Sequence, residues 1–96
     1  MAEGAVRVDV WLWRARFCKT RSLAARLVDE GRVRLTRGGQ ETRLDKAART
    51  LKPGDALVFA IAGRVHAVRI EALGVRRGPP AEARALYSDL DAPAAP

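Results

Sequence analysis

The sequence predicts an α+β domain, with helices on one side of a small, mostly antiparallel sheet. Three observations carry that expectation. Two stretches near the N-terminus place apolar side chains at helical spacing, each behind a capping residue. Later runs are short and either alternate polar with apolar or are almost wholly apolar, the patterns of strands. Turn residues separate those runs. At 96 residues the chain makes one domain with a modest core and has no room for a catalytic domain beside a binding one.

Met1 to Val6 is a start rich in small residues and is expected to be disordered. Asp9 is the expected N-cap of the first helix, because its carboxylate can accept from N–H groups of the first turn. Val8 and Trp13 occupy the two positions of a hydrophobic staple around that cap. Leu12 and Ala15 share one helix face; Trp11, Trp13 and Phe17 widen the apolar surface, and Arg14 and Arg16 project elsewhere. Thr20 reads as the N-cap of a second helix from Arg21 to Glu30, closed by Gly31, the residue best suited to a left-handed helix end. Leu23 with Leu27, and Ala24 with Val28, form its apolar stripe, and Arg21 and Arg26 fall outside it.

Arg32 to Thr36 alternates basic with apolar, as a strand with one buried face does. Arg37-Gly38-Gly39-Gln40 follows as a turn. Residues 41–52 are expected to be irregular, anchored in the core by Leu44 and Leu51. Pro53-Gly54-Asp55 turns into Ala56 to Ala62, a nearly all-apolar run and therefore a central strand. Gly63-Arg64 sends the chain back through Val65 to Leu73, completing a hairpin. Gly78-Pro79-Pro80 ends the strand region, and Pro80 opens a short helix with Ala83, Leu86, Tyr87 and Leu90 on one side. Asp91 to Pro96 is expected to be a disordered tail.

The net charge of +7 is spread unevenly. Residues 1–52 hold thirteen basic and six acidic side chains, whereas residues 53–96 hold five of each. The excess is densest from Arg7 to Arg37, where nine basic residues meet three acidic ones. A polyanion is the natural partner of such a surface, because neutralising phosphates releases counterions. The plainer reading is a basic surface that serves only solubility.

Catalytic constellations are absent from the sequence. Cys18 stands alone, which excludes an internal disulfide and fits a reducing cytosol; with no histidine near it, it reads as a small half-buried side chain. His66 falls in an expected strand, and Asp45 and Asp55 lie beside turns, where Asp is favoured for local hydrogen bonds. Gly38-Gly39 lacks the Gly-Lys-Ser/Thr continuation of a phosphate loop, and no metal-ligand spacing occurs. No enzyme, metal or cofactor is therefore expected. The sequence has no charged-then-apolar leader and no apolar run of membrane-spanning length, so a cytoplasmic protein with no membrane contact is expected. Trp11 and Trp13, interleaved with basic residues, could stack on unpaired bases, but their helical spacing beside Leu12 reads as core.

Arg7-Val8-Asp9, a helix, Thr20-Arg21-Ser22 with Ala25-Arg26, then Gly31-Arg32-Val33-Arg34-Leu35 and later Pro53-Gly54-Asp55 follow one another in a telling order. Over residues 7–61 this resembles the RNA-binding domain named after small-subunit ribosomal protein S-four. A second resemblance covers residues 6–90. Trp11-Leu12-Trp13-Arg14-Ala15-Arg16-Phe17 with Lys19-Thr20-Arg21, and the later Arg76-Arg77, Pro80 to Ala83 and Leu86-Tyr87, are similar to the heat-shock protein fifteen family. These resemblances imply an S-four-like (alpha-L) fold, two N-terminal helices on a small sheet with a short C-terminal helix. The implied domain covers residues 7–73, with residues 74–90 as an extension. They imply binding to structured RNA, namely ribosomal RNA of the large subunit, with transfer RNA as a further partner; a monomer is expected. They further imply a stress-response role in rescuing subunits that still carry a nascent chain, or in quality control of that chain.

Two departures from the pattern stand out. Where such domains turn on Val-Asn-Gly, this chain reads Leu35-Thr36-Arg37-Gly38-Gly39, so a longer or differently shaped loop is expected. Better-known members also continue into a long basic helix where this sequence runs into Ala and Pro. The expected RNA contacts are Arg7, Lys19, Arg21, Arg26, Arg32 and Arg34 on the phosphates, with Arg14, Arg16 and Arg37 at the periphery. Thr20 and Arg21 open the second helix, whose N-terminal amides can also face a phosphate. Two other readings remain: a DNA-binding helix–turn–helix module, and an RNA-targeting subunit of a modifying enzyme.

Overall fold

In the computed structural model, which describes residues 4–90, caps and glycine turns set most element boundaries. The elements run β1 (Val6–Arg7), α1 (Val8–Arg14), α2 (Arg21–Asp29), β2 (Val33–Arg37), β3 (Gln40–Leu44), β4 (Thr50–Leu51), β5 (Ala56–Ile61), β6 (Arg64–Ile70), α3 (Pro80–Arg84) and β7 (Tyr87–Asp89). Five strands form one antiparallel sheet in the order β3-β2-β5-β6-β7, and β1 pairs separately with β4. The apolar strand β5 is central, as its composition requires. The tail expected to be disordered, residues 91–96, and the first three residues lie outside the described residues.

The second helix follows its sequence signals closely. Thr20 Oγ1 accepts from Leu23 N–H at 3.0 Å. At the far end Gly31, at φ 74°, donates to Val28 O, and Arg32 donates to Leu27 O, the two bonds of a Schellman closure. The Gly38-Gly39 turn is a tight two-residue one rather than a longer loop. Both glycines take positive φ (60° and 79°), the geometry that twists adjoining strands correctly, and Arg37 pairs directly with Gln40.

Other boundaries differ from expectation, each for a physical reason. Val6, assigned to a disordered start, bridges Leu51, so the chain is held from that residue onward. Asp9 does not cap α1; Arg7 holds that position, and the Asp9 side chain lies buried within the first turn, accepting from Val10 N–H and Arg7. The helix stops at Arg14 because Arg16 adopts the left-handed conformation (φ 66°) and Phe17 N–H turns back to Leu12 O at 3.0 Å. Residues 41–52 are not wholly irregular: 41–44 join Gln40 in the edge strand β3, whose exposed side chains hide its alternation, and Thr50–Leu51 form β4. The hairpin reverses at Ala62-Gly63, both with positive φ, so β6 begins at Arg64 and ends at Ile70. After α3 the chain does not stay helical: Tyr87–Asp89 pairs with Val68–Ile70 and closes the sheet edge.

The core lies between the helices and the inner sheet face. Val8, Trp11 and Leu12 from α1, Ala24 and Val28 from α2, and Leu57, Val68 and Ile70 from the sheet are fully buried. Leu44 and Leu51 join them, as expected. Phe17 closes one end, its ring 4.9 Å from that of Phe59 and 4.7 Å from that of Tyr87. Trp11 gives the core its largest side chain and donates its indole N–H to Ala72 O at 2.9 Å. It belongs to the packing and is closed to any ligand.

Candidate nucleic-acid interface

The ten residues singled out in the sequence separate into two groups once their partners are known. Arg7 forms a two-pronged pair with Asp9 at 3.0 and 2.9 Å, which raises its pKa further. Arg37 does the same with Asp55 at 2.9 and 2.6 Å and also reaches Thr50 O, its pKa again raised by the carboxylate. Burial drives the Asp55 carboxyl upward, but bonds from Arg37 and from Lys52 N–H outweigh it and leave the pKa below the ordinary value.

Arg14 and Arg16 are committed to carbonyl oxygens of the C-terminal extension. Arg14 donates to Gly74 O at 2.8 Å, its Nε buried without a partner, and Arg16 Nε donates to Gly78 O at 2.7 Å. Arg77 completes this clamp from the other side, donating to Trp13 O at 3.0 Å. These arginines tie the extension to α1, although Arg16 stays exposed and keeps its charge.

The second group presents open charge. Lys19, Arg21 and Arg26 are exposed and, among the described residues, have no side-chain partner. Arg32 meets Glu30 at 3.6 Å and Arg34 meets Glu41 at 3.9 Å, both exposed pairs of the kind that water largely screens. Thr20 stays committed to capping, which fixes the turn between Lys19 and Arg21.

One further member comes from the edge strand: Arg43, which sequence reasoning passed over in an apparently irregular stretch. It stands directly opposite Arg34 in the β2–β3 register, and its guanidinium lies over Gly31, within 3.6 Å of where a β-carbon would sit. Arg43 thus stands beside the glycine-closed end of α2, and Lys19, Arg26 and Arg32 line one groove along that helix. Like charges facing across a strand pair are unfavourable. A polyanion laid across the pair relieves that repulsion.

Cys18 is buried at 7% exposure, and burial raises its pKa, so the thiol is poorly activated. The His66 ring rests on Phe59, 5.3 Å between centroids. Among the described residues no cluster of three His, Cys, Asp or Glu could hold a metal ion, and no helix is long and apolar enough to cross a membrane.

A family model described as S4 domain matches residues 6–35, the stretch from β1 through both helices into β2. The fold and this match place the chain among S4-domain proteins of mixed helix and antiparallel sheet. A heat shock protein 15 homolog from Haemophilus influenzae is 36% identical over 92 residues, covering 95% of this chain and 66% of the relative. Heat shock protein 15 of Escherichia coli is 33% identical over 84 residues, covering 88% of this chain and 59% of the relative. The heat shock protein 15 of Vibrio cholerae, solved as a trimer, matches with a TM-score of 0.78 at 33% identity, over 91% of this chain and 83% of its own. The chain belongs to the heat shock protein 15 family. It spans between 59 and 66% of the length of these curated relatives.

Proposed function

We propose that the chain is a non-catalytic, ribosome-associated RNA-binding protein that holds structured RNA on the face formed by α2, β2 and β3. One observation supports this above the rest: the way its cations are sorted. Arg7, Arg14, Arg16, Arg37 and Arg77 are tied to carboxylates or carbonyls, whereas Lys19, Arg21, Arg26 and Arg43 are exposed with no partner among the described residues. Structured RNA is read mostly by shape and backbone contacts, so such a surface needs no base code.

At the finer level, the partner is ribosomal RNA of the large subunit in the cytoplasm. The task is rescue of subunits that carry a nascent chain on transfer RNA. A monomer suffices for this face, since all its residues come from one chain; light scattering of the free protein tests that against a trimer such as the Vibrio relative forms.

The decisive experiment is sedimentation of cell extract at low and high salt, followed by crosslink mapping of the bound RNA. Co-migration with the large subunit at low salt is expected. Absence from it would remove the ribosomal role and leave RNA binding to be judged by titration. Replacing Arg21 and Arg26 together by Ala should weaken structured RNA by at least about tenfold without unfolding, because both side chains lie off the buried stripe. Competition with duplex DNA at matched salt checks the helix–turn–helix alternative, and co-purification of a stoichiometric catalytic partner would favour the targeting-subunit one.

A further inference from the structure

We infer that the groove between α2 and the β5–β6 hairpin takes one unstacked base of the bound RNA; this rests on the RNA-binding reading and adds to it. The groove encloses about 410 Å³, within the range of sites for small organic groups. Its floor is apolar, made by Phe17, Leu23, Leu27 and Ile61, and its rim carries Lys19, Arg26 and Arg32. Leu23 is 46% exposed although it sits on the helix stripe that should be buried. The wall opposite is made by Ala60, Ile61 and Ala62. Ala62 takes φ 52°, a conformation uncommon for a side chain with a β-carbon, and this tight reversal ends the wall beside the groove.

Floor and rim fit a nucleotide in different ways. A base offers a flat apolar face that packs on Phe17, whose ring is braced from behind by Phe59 at 4.9 Å and Tyr87 at 4.7 Å. Phosphates on either side of a turned-out nucleotide meet the three rim cations. The single acid at the rim, Glu30, is already engaged by Arg32 at 3.6 Å. Arg26 belongs to both the groove and the outer face of α2, so RNA on that face lies beside the groove mouth. A paired base has no free face to offer. The occupant is therefore a bulged or loop nucleotide. The excess of cations favours this over an apolar peptide segment.

The test compares two hairpin RNAs whose stems are closed by a non-nucleotide linker, one fully paired and one carrying a single bulged fluorescent purine analogue, titrated with the full chain at low salt. The bulged RNA should bind about tenfold more tightly, the scale of one base stacked on an aromatic surface, and its emission should change on binding. Leu23→Ser replaces an exposed part of the apolar floor, and it should narrow the preference for the bulged RNA to less than about threefold. Equal affinity for both hairpins, or a preference that Leu23→Ser leaves unchanged, would overturn the groove assignment while RNA binding stands. Binding of neither hairpin overturns the RNA reading and the groove with it. If an acidic amphipathic peptide binds with sensitivity to Leu23→Ser and the bulged RNA shows none, the groove belongs to a protein segment instead.

Discussion

Asp55 is 4% exposed and receives three hydrogen bonds, two from Arg37 and one from Lys52 N–H. Its pKa lies below the ordinary carboxylate value in the folded chain. The stabilisation it provides is therefore complete above the unfolded value of about 3.9 and is lost as pH falls through the lower folded value. Urea unfolding should show stability declining below about pH 4. Asp55→Asn should flatten that decline and lower stability at neutral pH by about 1–2 kcal/mol, discounted because the Arg37 side chain is 42% exposed. A second test concerns Arg16, which bears the strain of φ 66° while bonding Gly78 O. Both Arg16→Ala and Arg16→Gly lose the bond, but only glycine relieves the strain, so the alanine variant should be less stable by about 1 kcal/mol. Equal midpoints in thermal unfolding would contradict this. Of these partnerships only the local bond from Lys52 N–H to Asp55 was legible in the sequence, as that of an aspartate beside a turn. A guanidinium is written the same way whether it faces water or a carbonyl sixty residues on, and only the fold brings Arg14 to Gly74.

At the scale of elements, α2 was the most legible because its signals are local. Thr20 and Gly31 each act within a few residues, and the structure uses both as caps. Thr20→Ala should reduce stability by about 1 kcal/mol in a chemical melt. The edge strands were the least legible. In β3 four of five residues are exposed, so no apolar alternation marks it, and β7 borrows Tyr87 from what looked like a helix face. Their strand character comes from a neighbour offering hydrogen bonds, which a one-dimensional pattern does not record. The cost of missing β3 was missing Arg43. Opposite Arg34, it sets two positive charges side by side in the ribbon. Arg43→Glu should raise stability by a few tenths of a kcal/mol, on the order of 0.5, while weakening RNA binding. A variant that binds RNA as well as the parent would mean that the ribbon lies outside the interface.

For the whole molecule, the division of charge seen in the sequence carries over into space. The first half supplies the open cations, and the neutral second half supplies β5, β6 and the clamp that seats α1. If about six phosphates are engaged, log affinity should fall with log salt at a slope of about −4 to −5. A flat response would sink the charge argument. The fold class and the central β5 were readable because burial and composition are coupled; the closing of the chain on itself was not. That closure has a consequence in time. Trp11 and Arg16 find their acceptors at Ala72 and Gly78, sequence separations of 61 and 62 residues, and Arg77 returns across 64 to Trp13. A chain made N-terminus first therefore displays its positively charged helices well before the segment that anchors them exists. Closing so long a loop is slow relative to forming a helix. While it is being synthesised, the protein offers its basic surface on a scaffold still waiting for its last pieces.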